Sequence, residues 1–500
     1  MAIRDGGLQA VDASSGIPGL DDILAGGFSR NRVYLIEGSP GTGKTTAALS
    51  FLRDGAGRGE KTLYVTLSET EDELRDAARS HGWDLEGVGI FELAPPESLL
   101  DEQQQQSLLY SSDLELGETT QMIFEAVERL RPDRVVIDSL SEIRLLAQSS
   151  LRYRRQVLAL KHYFAKHGAT VLLLDDLTTE ASDKTVHSVA HGVIRLEELA
   201  PTYGAERRRA RVVKYRGRHF RGGFHDFNIK TGGLEVYPRL VAGEHKTEFE
   251  RLPLPSAIAG LDQLLGGGVE RGTSCLVLGP AGAGKSLLAL CFVASAVSRG
   301  EKAALFAFDE ELGLLLARSK ALGIDLQAMR DRGLLTIQQI DAAELSPGEF
   351  TAQVRRCVDE RQIKTVVIDS LNGYQAAMPE EQFLVLHMHE LLQYLNRQGA
   401  TTFLTVAQHG LVGDMKAPVD VTYLADTVIV LRYFEALGHV RRAISVIKKR
   451  SGPHEKTIRE FSIGSGGIEV GPPLDGFQGV LRGVPNFVGP DQGLLGETGK

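Results

Sequence analysis

The sequence predicts an α/β protein of two tandem domains, each a mostly parallel sheet flanked by helices. Three observations support this prediction. The second half of the chain repeats the pattern of the first, short apolar runs alternate with helical patterns, and each half carries the glycine-rich motif of a phosphate loop. Parallel strands buried on both faces need helical crossovers, and the alternation supplies them. We therefore expect two copies of one phosphate-binding α/β domain.

The duplication is visible in two glycine-rich segments. Residues 16–27 read GIPGLDDILAGG, and residues 257–268 read AIAGLDQLLGGG. The same offset of 241 relates Lys44 to Lys285. A period this long indicates a duplicated globular domain rather than a solenoid. The expected boundaries are residues 1–242 for the first domain, 243–256 for a polar linker, 257–476 for the second domain and 477–500 for a flexible tail.

The secondary-structure pattern is clearest in the first copy, where short apolar runs predict buried strands. Residues with helical spacing separate these runs, in Thr45–Asp54 and Gln156–His167. Two later segments, Arg209–Tyr215 and Arg441–Ile447, are typical of antiparallel strands. The predicted parallel strands are Val33–Ile36, Leu63–Leu67, Arg134–Ile137 and Thr170–Leu174.

Composition excludes several classes of protein. Charged residues make up 24% of the 500 residues, a fraction that does not predict a disordered protein. The formal net charge of −9 does not favour a protein that coats nucleic acid. The longest apolar run, residues 287–297, is shorter than the roughly 20 residues that span a bilayer. The chain begins without a signal-peptide pattern, and its three cysteines lack disulfide or zinc spacing. We expect a cytoplasmic protein with no membrane partner, and a nucleic-acid partner is disfavoured.

Both phosphate loops match the pattern G-x-x-x-x-G-K-[ST]. Residues 38–45 read GSPGTGKT and residues 279–286 read GPAGAGKS. Each follows an apolar strand and opens a helix, which is the context that a P-loop requires. Backbone N–H groups surround phosphate oxygens there, and the lysine reaches the β- and γ-phosphates of ATP. The expected nucleotide-binding residues are Gly38, Ser39, Gly41, Thr42, Gly43, Lys44, Thr45 and Thr46, and Gly279, Ala281, Gly282, Ala283, Gly284, Lys285, Ser286 and Leu287.

An aspartate follows a buried strand downstream of each P-loop. Asp138 ends RVVID and Asp369 ends TVVID. A single aspartate at a strand end is usually a turn former, but two matching copies downstream of two P-loops favour support of Mg²⁺. The hydroxyls of Thr45 and Ser286 are the expected partners in holding the ion.

Carboxylates also follow the neighbouring strand in each copy, as Ser68-Glu69 and Asp309-Glu310. A carboxylate at this strand end is placed to orient a water or hydroxyl that attacks the γ-phosphate, so Glu69, Asp309 and Glu310 are candidate catalytic residues. The alternative is that Glu69 and Glu310 serve the N-terminus of the following helix, where negative charge is favourable. Residues 70–73 there resemble a capping box.

Residues 207–221 contain eight lysines and arginines in fifteen positions. Three interpretations remain open: an ion-paired edge strand, a nucleic-acid contact, or a contact across a subunit boundary with the neighbour's γ-phosphate. The last interpretation assigns this contact to Lys214 and Arg216. The second copy repeats the pattern in Lys448, Lys449 and Arg450, so a role tied to each nucleotide site is favoured.

Taken together, these residues resemble the KaiC family of RecA-like ATPases. The two P-loops, the two VVIDS segments, KYRG at residues 214–217 and IREF at residues 458–461 carry the resemblance, which covers about residues 16–472. It implies two RecA-like P-loop NTPase domains in a double-ring homohexamer, with ATP and Mg²⁺ between adjacent subunits. It also implies slow ATP hydrolysis and Ser/Thr autophosphorylation in the second domain. A KaiB-like protein or a signalling kinase is the kind of partner it suggests.

The sequence departs from the family's pattern at two places. The family's Glu-Glu catalytic pair becomes Ser68-Glu69 and Asp309-Glu310, so the first copy lacks one carboxylate of the pair. The family's Ser-Thr phosphosite falls on Thr422-Tyr423, where Thr422 is the candidate acceptor. The family's lysine–arginine pairs are kept as Lys214 with Arg216 and Lys448 with Arg450. The alternative for Thr422 and Tyr423 is that they are residues of a strand entry.

Three functions follow from these features. The first is an ATPase that acts as a signalling or timing switch and phosphorylates itself. The second is a RecA-type motor or recombinase on DNA, which the arginine cluster favours and the net charge disfavours. The third is a scaffold held together by nucleotide with little catalysis, for which Ser68 is the motivation.

Overall fold

The chain forms two compact units, Met1–Arg239 and Leu240–Lys500. The structure is a computed structural model. The described residues are 12–93, 108–177, 185–200, 204–308, 310–376, 381–408, 422–436, 438–464, 466–482 and 486–487. Within them, no helix is both long and apolar enough to cross a membrane.

The first unit alternates strands with helices and then ends in antiparallel strands. Its helices are α1 Pro18–Ile23, α2 Lys44–Gly57, α3 Glu71–Ser80, α4 Leu108–Leu130, α5 Leu140–Ala147, α6 Ser150–His167 and α7 Thr185–Val189. Its strands are β1 Val33–Gly38, β2 Thr62–Thr66, β3 Val88–Glu92, β4 Arg134–Asp138, β5 Thr170–Asp176, β6 Gly192–Leu199, β7 Arg207–Tyr215, β8 His225–Lys230 and β9 Gly233–Tyr237.

The second unit repeats this order and adds short strands at both ends. Its helices are α8 Ala259–Leu264, α9 Lys285–Ser298, α10 Leu312–Ala321, α11 Leu326–Asp331, α12 Pro347–Arg361, α13 Leu371–Ala376 and α14 Glu381–Arg397. Its strands are β10 Pro253–Leu254, β11 Val269–Glu270, β12 Ser274–Gly279, β13 Ala303–Ala307, β14 Leu335–Gln339, β15 Thr365–Asp369, β16 Thr401–Ala407, β17 Thr427–Ala436, β18 His439–Lys449, β19 Ile458–Gly464, β20 Gly467–Pro473, β21 Phe477–Gln478 and β22 Asn486–Phe487.

Each unit contains a nine-stranded sheet with the same strand order. The orders are β3-β2-β4-β5-β1-β6-β7-β8-β9 and β14-β13-β15-β16-β12-β17-β18-β19-β20. The first six strands of each sheet are parallel and the last three antiparallel. The predicted fold class of two mostly parallel sheets flanked by helices is therefore confirmed. The antiparallel strands predicted at Arg209–Tyr215 and Arg441–Ile447 are confirmed as parts of β7 and β18.

The apolar runs form strands because both faces of each sheet are covered. On β1, Tyr34 and Ile36 pack into one hydrophobic cluster, whereas Val33 and Leu35 pack into the cluster on the other face. All six residues of β1 are buried. Alternate side chains on a strand point to opposite faces, so a central strand between two helical layers reads as a continuous apolar run.

Part of the tail predicted for residues 477–500 forms a short antiparallel pair, β21 with β22. Residues 483–485 and 488–500 of that segment lie outside the described residues. The segment 243–256 belongs to the second unit, where Thr247 hydrogen-bonds Gln398 through its side chain at 2.7 Å.

Candidate functional site

The first P-loop connects β1 to α2. The loop residue before the helix, Gly43, has a φ of +92°, which a residue with a side chain rarely adopts. A Cβ on Gly43 would also lie 2.7 Å from the Ile229 side chain. Helix α2 begins at Lys44, and its N-cap residue, Gly43, has no side chain that could accept a hydrogen bond from the N–H groups of the first turn. Such a helix start attracts phosphate oxygens.

Lys44 folds back over the loop that precedes it. Its Nζ donates to the carbonyl of Gly38 at 2.9 Å and to that of Ser39 at 3.0 Å. It also forms an ion pair with Asp176, at the end of β5, at 2.7 Å. The ammonium is thus held at the mouth of the loop, where a P-loop lysine meets the phosphates of a nucleotide.

The second P-loop has the same geometry between β12 and α9. Gly284 has a φ of +102°, and Lys285 Nζ donates to the carbonyl of Pro280 at 2.8 Å. Burial lowers the pKa of Lys285, and the negative charge of Asp369 opposes this shift. Gly279 ends β12 just before the second loop. The other predicted residues not named above lie in the two loops or the first helical turns: Gly41, Thr42, Thr45, Thr46, Ala281, Gly282, Ala283, Ser286 and Leu287.

The two strand-end aspartates differ in exposure and in hydrogen-bond partners, since Asp138 is buried and Asp369 is half-buried. Asp138, at the end of β4, is 7% exposed and accepts a hydrogen bond from the hydroxyl of Tyr64 at 2.5 Å. Burial raises the pKa of Asp138, and the hydrogen bond from Tyr64 opposes this effect. In the second unit Asp369 accepts a hydrogen bond from the hydroxyl of Thr405. A cis peptide bond follows both aspartates.

The oxygen atoms of Thr45 and Asp138 are the hard ligands that Mg²⁺ prefers, and few protein ligands suffice when phosphates supply others. Thr45 follows Lys44 in the first turn of α2, and the charge of Lys44 acts on Asp138, so both oxygen donors lie at the first P-loop and fit Mg²⁺ there. Ser286 and Asp369 are the matching residue types at the second site.

Glu69 lies just beyond β2, with its backbone tied to Thr66. The hydroxyl of Thr66 donates to the carbonyl of Glu69 at 2.7 Å and accepts from its N–H at 3.0 Å. Burial, followed by the charge of Asp138, raises the pKa of Glu69. The next helix, α3, is capped by Thr70, which forms the predicted capping box with Glu73. Glu69 itself is therefore not the cap.

The second unit differs at the corresponding position. Glu310 forms an ion pair with Arg318 of α10 at 2.7 Å, and Glu311 caps that helix by accepting from the N–H groups of Gly313 and Leu314. The residue 241 positions before Arg318 is Ala77, so Glu69 has no equivalent arginine. Asp309 lies outside the described residues.

The basic pair of the first unit, Lys214 and Arg216, lies toward the amino ends of the parallel strands, whereas the P-loop lies at their carboxyl ends. Lys214 pairs with Val193 in the register of β7 and β6, whereas Gly38 pairs with Leu196. Three residues along a strand span about 10 Å. Lys214 Nζ points further away, donating to the carbonyls of His187 and, at 2.8 Å, Ala190.

Arg216 donates to the carbonyl of Ser188 at 2.7 Å, so both cations bind the end of α7. Burial lowers the pKa of Lys214, and the charge of Arg216 acts in the same direction. In the second unit Lys448 donates to the carbonyls of Thr422 and Ala425 at 2.9 and 2.8 Å, and Arg450 donates to that of Tyr423 at 2.9 Å.

Much of the arginine cluster is ion-paired within the first unit. Arg208 pairs with Glu198 at 3.1 Å, Arg209 with Glu197 at 2.7 Å and Arg218 with Asp12 at 2.7 Å. For these three residues the ion-paired interpretation is confirmed. The edge-strand part of that interpretation is wrong, because β7 lies between β6 and β8 in the sheet.

The candidate phosphosite lies in the turn before β17. Thr422 is half-buried and Tyr423 is 53% exposed. The lysine–arginine pair of the second unit holds the carbonyls of both residues, so this turn occupies the place that the end of α7 occupies in the first unit.

Four side chains at the sites were not singled out by the sequence: Tyr64, Asp176, Arg318 and Thr405. Asp176 was the most accessible to sequence reasoning, because it ends an apolar run just as Asp138 does. Tyr64 reads as an ordinary apolar strand residue, and the contact of Arg318 depends on how α10 packs.

Comparison with known proteins gives a consistent result over nearly the whole chain. A family model described as "ATPase: KaiC" matches residues 13–241 and again residues 254–475. A "Circadian clock protein KaiC3" of Synechocystis sp. is 28% identical over 483 residues, which is 95% of this chain and 94% of that protein. The "Circadian clock oscillator protein KaiC" of Parasynechococcus marenigrum is 29% identical over 504 residues, 97% and 95% of the two chains. The protein of the same description from Synechococcus elongatus is 28% identical over 489 residues, 95% and 92%.

Proposed function

The chain belongs to the KaiC family of ATPases, and from this premise we propose that it binds ATP with Mg²⁺ at both P-loops and hydrolyses it. We further propose that six copies assemble into a double ring that acts as a signalling or timing switch. A KaiB-like or signalling-kinase partner and a cytoplasmic location belong to the same proposal and rest on the family resemblance.

The observation that carries the ATPase proposal is the convergence of charges at each P-loop. In the first unit Lys44 lies over its loop, and its charge acts on both Asp138 and Glu69. In the second unit Lys285 and Asp369 are in electrostatic contact in the same way. A cation for the phosphates beside carboxylates for a metal and a water is the composition that phosphoryl transfer needs.

Each residue then has a role that follows from its position. The two P-loop lysines and the helix N-termini bind the β- and γ-phosphates. Mg²⁺, when bound, neutralises charge that develops on the phosphate oxygens. A carboxylate oxygen of Glu69 or Glu310 accepts a hydrogen bond from the attacking water and takes its proton as the water oxygen bonds to the γ-phosphorus. The bond between that phosphorus and the bridging oxygen breaks, and the oxygen leaves with ADP. The raised pKa of Glu69 suits it to this role.

Phosphate release from glutamine variants tests the assignment of these bases. We expect Glu69→Gln and Glu310→Gln each to lower steady-state turnover, and the double variant to lower it by about 10²-fold or more, since general-base catalysis contributes about that much. Glu125→Gln is the matched control, because Glu125 is exposed on α4, where its carboxylate accepts from the side-chain amide of Gln121 at 3.1 Å. Parental turnover in the double variant would show that these glutamates are not the bases. Very low turnover in the parent protein would favour the scaffold, for which Ser68 and the Arg318 ion pair of Glu310 are the supporting observations.

We also propose that Thr422 accepts a phosphoryl group from ATP bound at a second-domain site. The turn that carries Thr422 is bound to Lys448 and Arg450 through its carbonyls, so it moves with the pair proposed to contact the γ-phosphate. Incubation with labelled ATP and phosphopeptide mapping should place label on the peptide containing Thr422. Thr422→Ala should lose that label, whereas the exposed Thr247→Ala should keep it. Label elsewhere, or none, would contradict this assignment.

A DNA-dependent motor is the less supported alternative. Arg208, Arg209 and Arg218, its main sequence support, already pair with carboxylates of the same unit. Salt-sensitive binding of single-stranded DNA with stimulated turnover would nevertheless favour it.

A further inference from the structure

The two P-loops differ in the residue of the neighbouring strand that lies opposite the first glycine of the loop. In the first sheet β5 lies beside β1, and Asp176 is opposite Gly38. In the second sheet β16 lies beside β12 in the same register, and Ala407 is opposite Gly279. The two P-loops therefore carry the same lysine but different neighbours, a carboxylate at the first and a methyl group at the second.

The carboxylate of Asp176 is directed at the P-loop lysine. Its Oδ1 lies 2.7 Å from Lys44 Nζ, with the Lys44 side chain 8% exposed and the Asp176 side chain 29% exposed. A phosphate oxygen bonded to the same ammonium at about 2.8 Å lies within about 5.5 Å of that Oδ1. An anion at this distance in a partly buried site repels the phosphate appreciably.

The adjacent acid, Asp175, is held by contacts away from the P-loop lysine. It is 6% exposed, accepts from the Ser141 hydroxyl at 3.0 Å and is ion-paired with Arg144. The Ser141 hydroxyl also accepts from the N–H of Asp176 at 3.2 Å. These contacts fix the end of β5, so that the Asp176 side chain stays beside Lys44.

We propose that Asp176 is a counter-ion of Lys44 that makes nucleotide binding at the first P-loop depend more strongly on magnesium than binding at the second. The inference rests on the proposed function and adds a specificity-determining residue to one of its two sites. Magnesium neutralises part of the nucleotide's charge, so it relieves the repulsion from Asp176. Free nucleotide meets the full repulsion. At the second P-loop, Ala407 exerts none.

Equilibrium titration with a fluorescent ADP analogue, in the presence of Mg²⁺ and of EDTA, tests the inference in the full chain. Lys285→Ala isolates the first site and Lys44→Ala isolates the second. The ratio of the two Kd values, EDTA over Mg²⁺, should be larger at the first site. Asp176→Asn should reduce this ratio by roughly tenfold, mainly by tightening binding in EDTA. Asp176→Glu should keep the ratio, since it restores the charge.

The reciprocal change, Ala407→Asp, should increase the ratio at the second site. It decides the question even if Asp176→Asn proves unfolded by circular dichroism. Equal ratios at the two parental sites, or ratios unmoved by both substitutions, would overturn the inference while leaving nucleotide binding intact. A complete lack of analogue binding at both sites would instead contradict the proposed function itself.

Discussion

The two candidate bases differ in their immediate electrostatic surroundings. Glu69 is partly buried near the carboxylate of Asp138, whereas Glu310 is neutralised by Arg318. A carboxylate near another negative charge binds a proton more tightly. A carboxylate paired with a guanidinium has its negative charge balanced, and the ion pair restrains its side chain. The two copies therefore share the P-loop motif while their candidate bases differ in surroundings, and we expect different rates of hydrolysis at the two sites.

The surroundings of Glu69 predict a pH dependence at the first site. Its pKa is raised, so the carboxylate becomes protonated, and turnover is lost, as pH falls through a value above the ordinary 4.3 or so of glutamate. The raised pKa of Asp138 acts with the same sign. The measurement is kcat/KM against pH in the Lys285→Ala background. A profile that stays flat down to about pH 4.3 would show that neither carboxylate is needed deprotonated.

The site residues that could be predicted from the sequence are those in the P-loop motif and those that directly follow a predicted strand. Lys44, Asp138 and Glu69 each follow a predicted strand, so their approximate convergence could be predicted from parallel strand order alone. Asp176 could not be placed beside Lys44 in this way, because that contact needs the register of β5 against β1. Tyr64 could not be found either, since a buried phenol and a buried apolar ring leave the same pattern in a strand.

At the scale of elements, the repeated glycine segment proves to be a docking motif. Helix α1 packs on β9, and a Cβ on Gly19 would lie 1.9 Å from the carbonyl oxygen of Val236. Gly260 is in the same position against Val470, at 2.7 Å. The segment is anchored by Asp21, which accepts from the N–H of Ser15 at 2.8 Å, and in the second unit by Asp262, which accepts from that of Ser256 at 2.7 Å. The repetition of this segment was visible in the sequence, but its packing against the last strand of each sheet was not.

This close approach predicts that Gly19→Ala destabilises the first unit by about 1–3 kcal/mol, the usual cost of overpacking. The chain's one tryptophan, Trp83, is buried in that unit and packs against Gly233, so its fluorescence reports unfolding there. Gly57→Ala is the control, because a Cβ at that helical position meets nothing within 4 Å. An unchanged denaturation midpoint for Gly19→Ala would show that α1 can shift to make room for the methyl group with no loss in the free energy of unfolding.

At the scale of the whole molecule, the described part of the first unit holds its lysine–arginine pair away from its own P-loop. Lys214 and Arg216 bind the end of α7, at the opposite end of the parallel strands from the P-loop. We propose that these cations meet a γ-phosphate bound to another copy of the chain. A head-to-tail contact of this kind is heterologous, and heterologous contacts that close make a ring. Nucleotide state would then control the ring, because hydrolysis removes contacts made from both sides.

Mixing two inactive variants tests this claim most directly. One variant carries Lys44→Ala and Lys285→Ala, and the other carries alanine at Lys214, Arg216, Lys448 and Arg450. Each alone should hydrolyse ATP poorly. In a randomly mixed ring, about a quarter of the interfaces join an intact P-loop to an intact basic pair, so turnover should recover to about a quarter of the parental value. Parental turnover in the second variant alone, or no recovery in mixtures that still assemble, would contradict the claim.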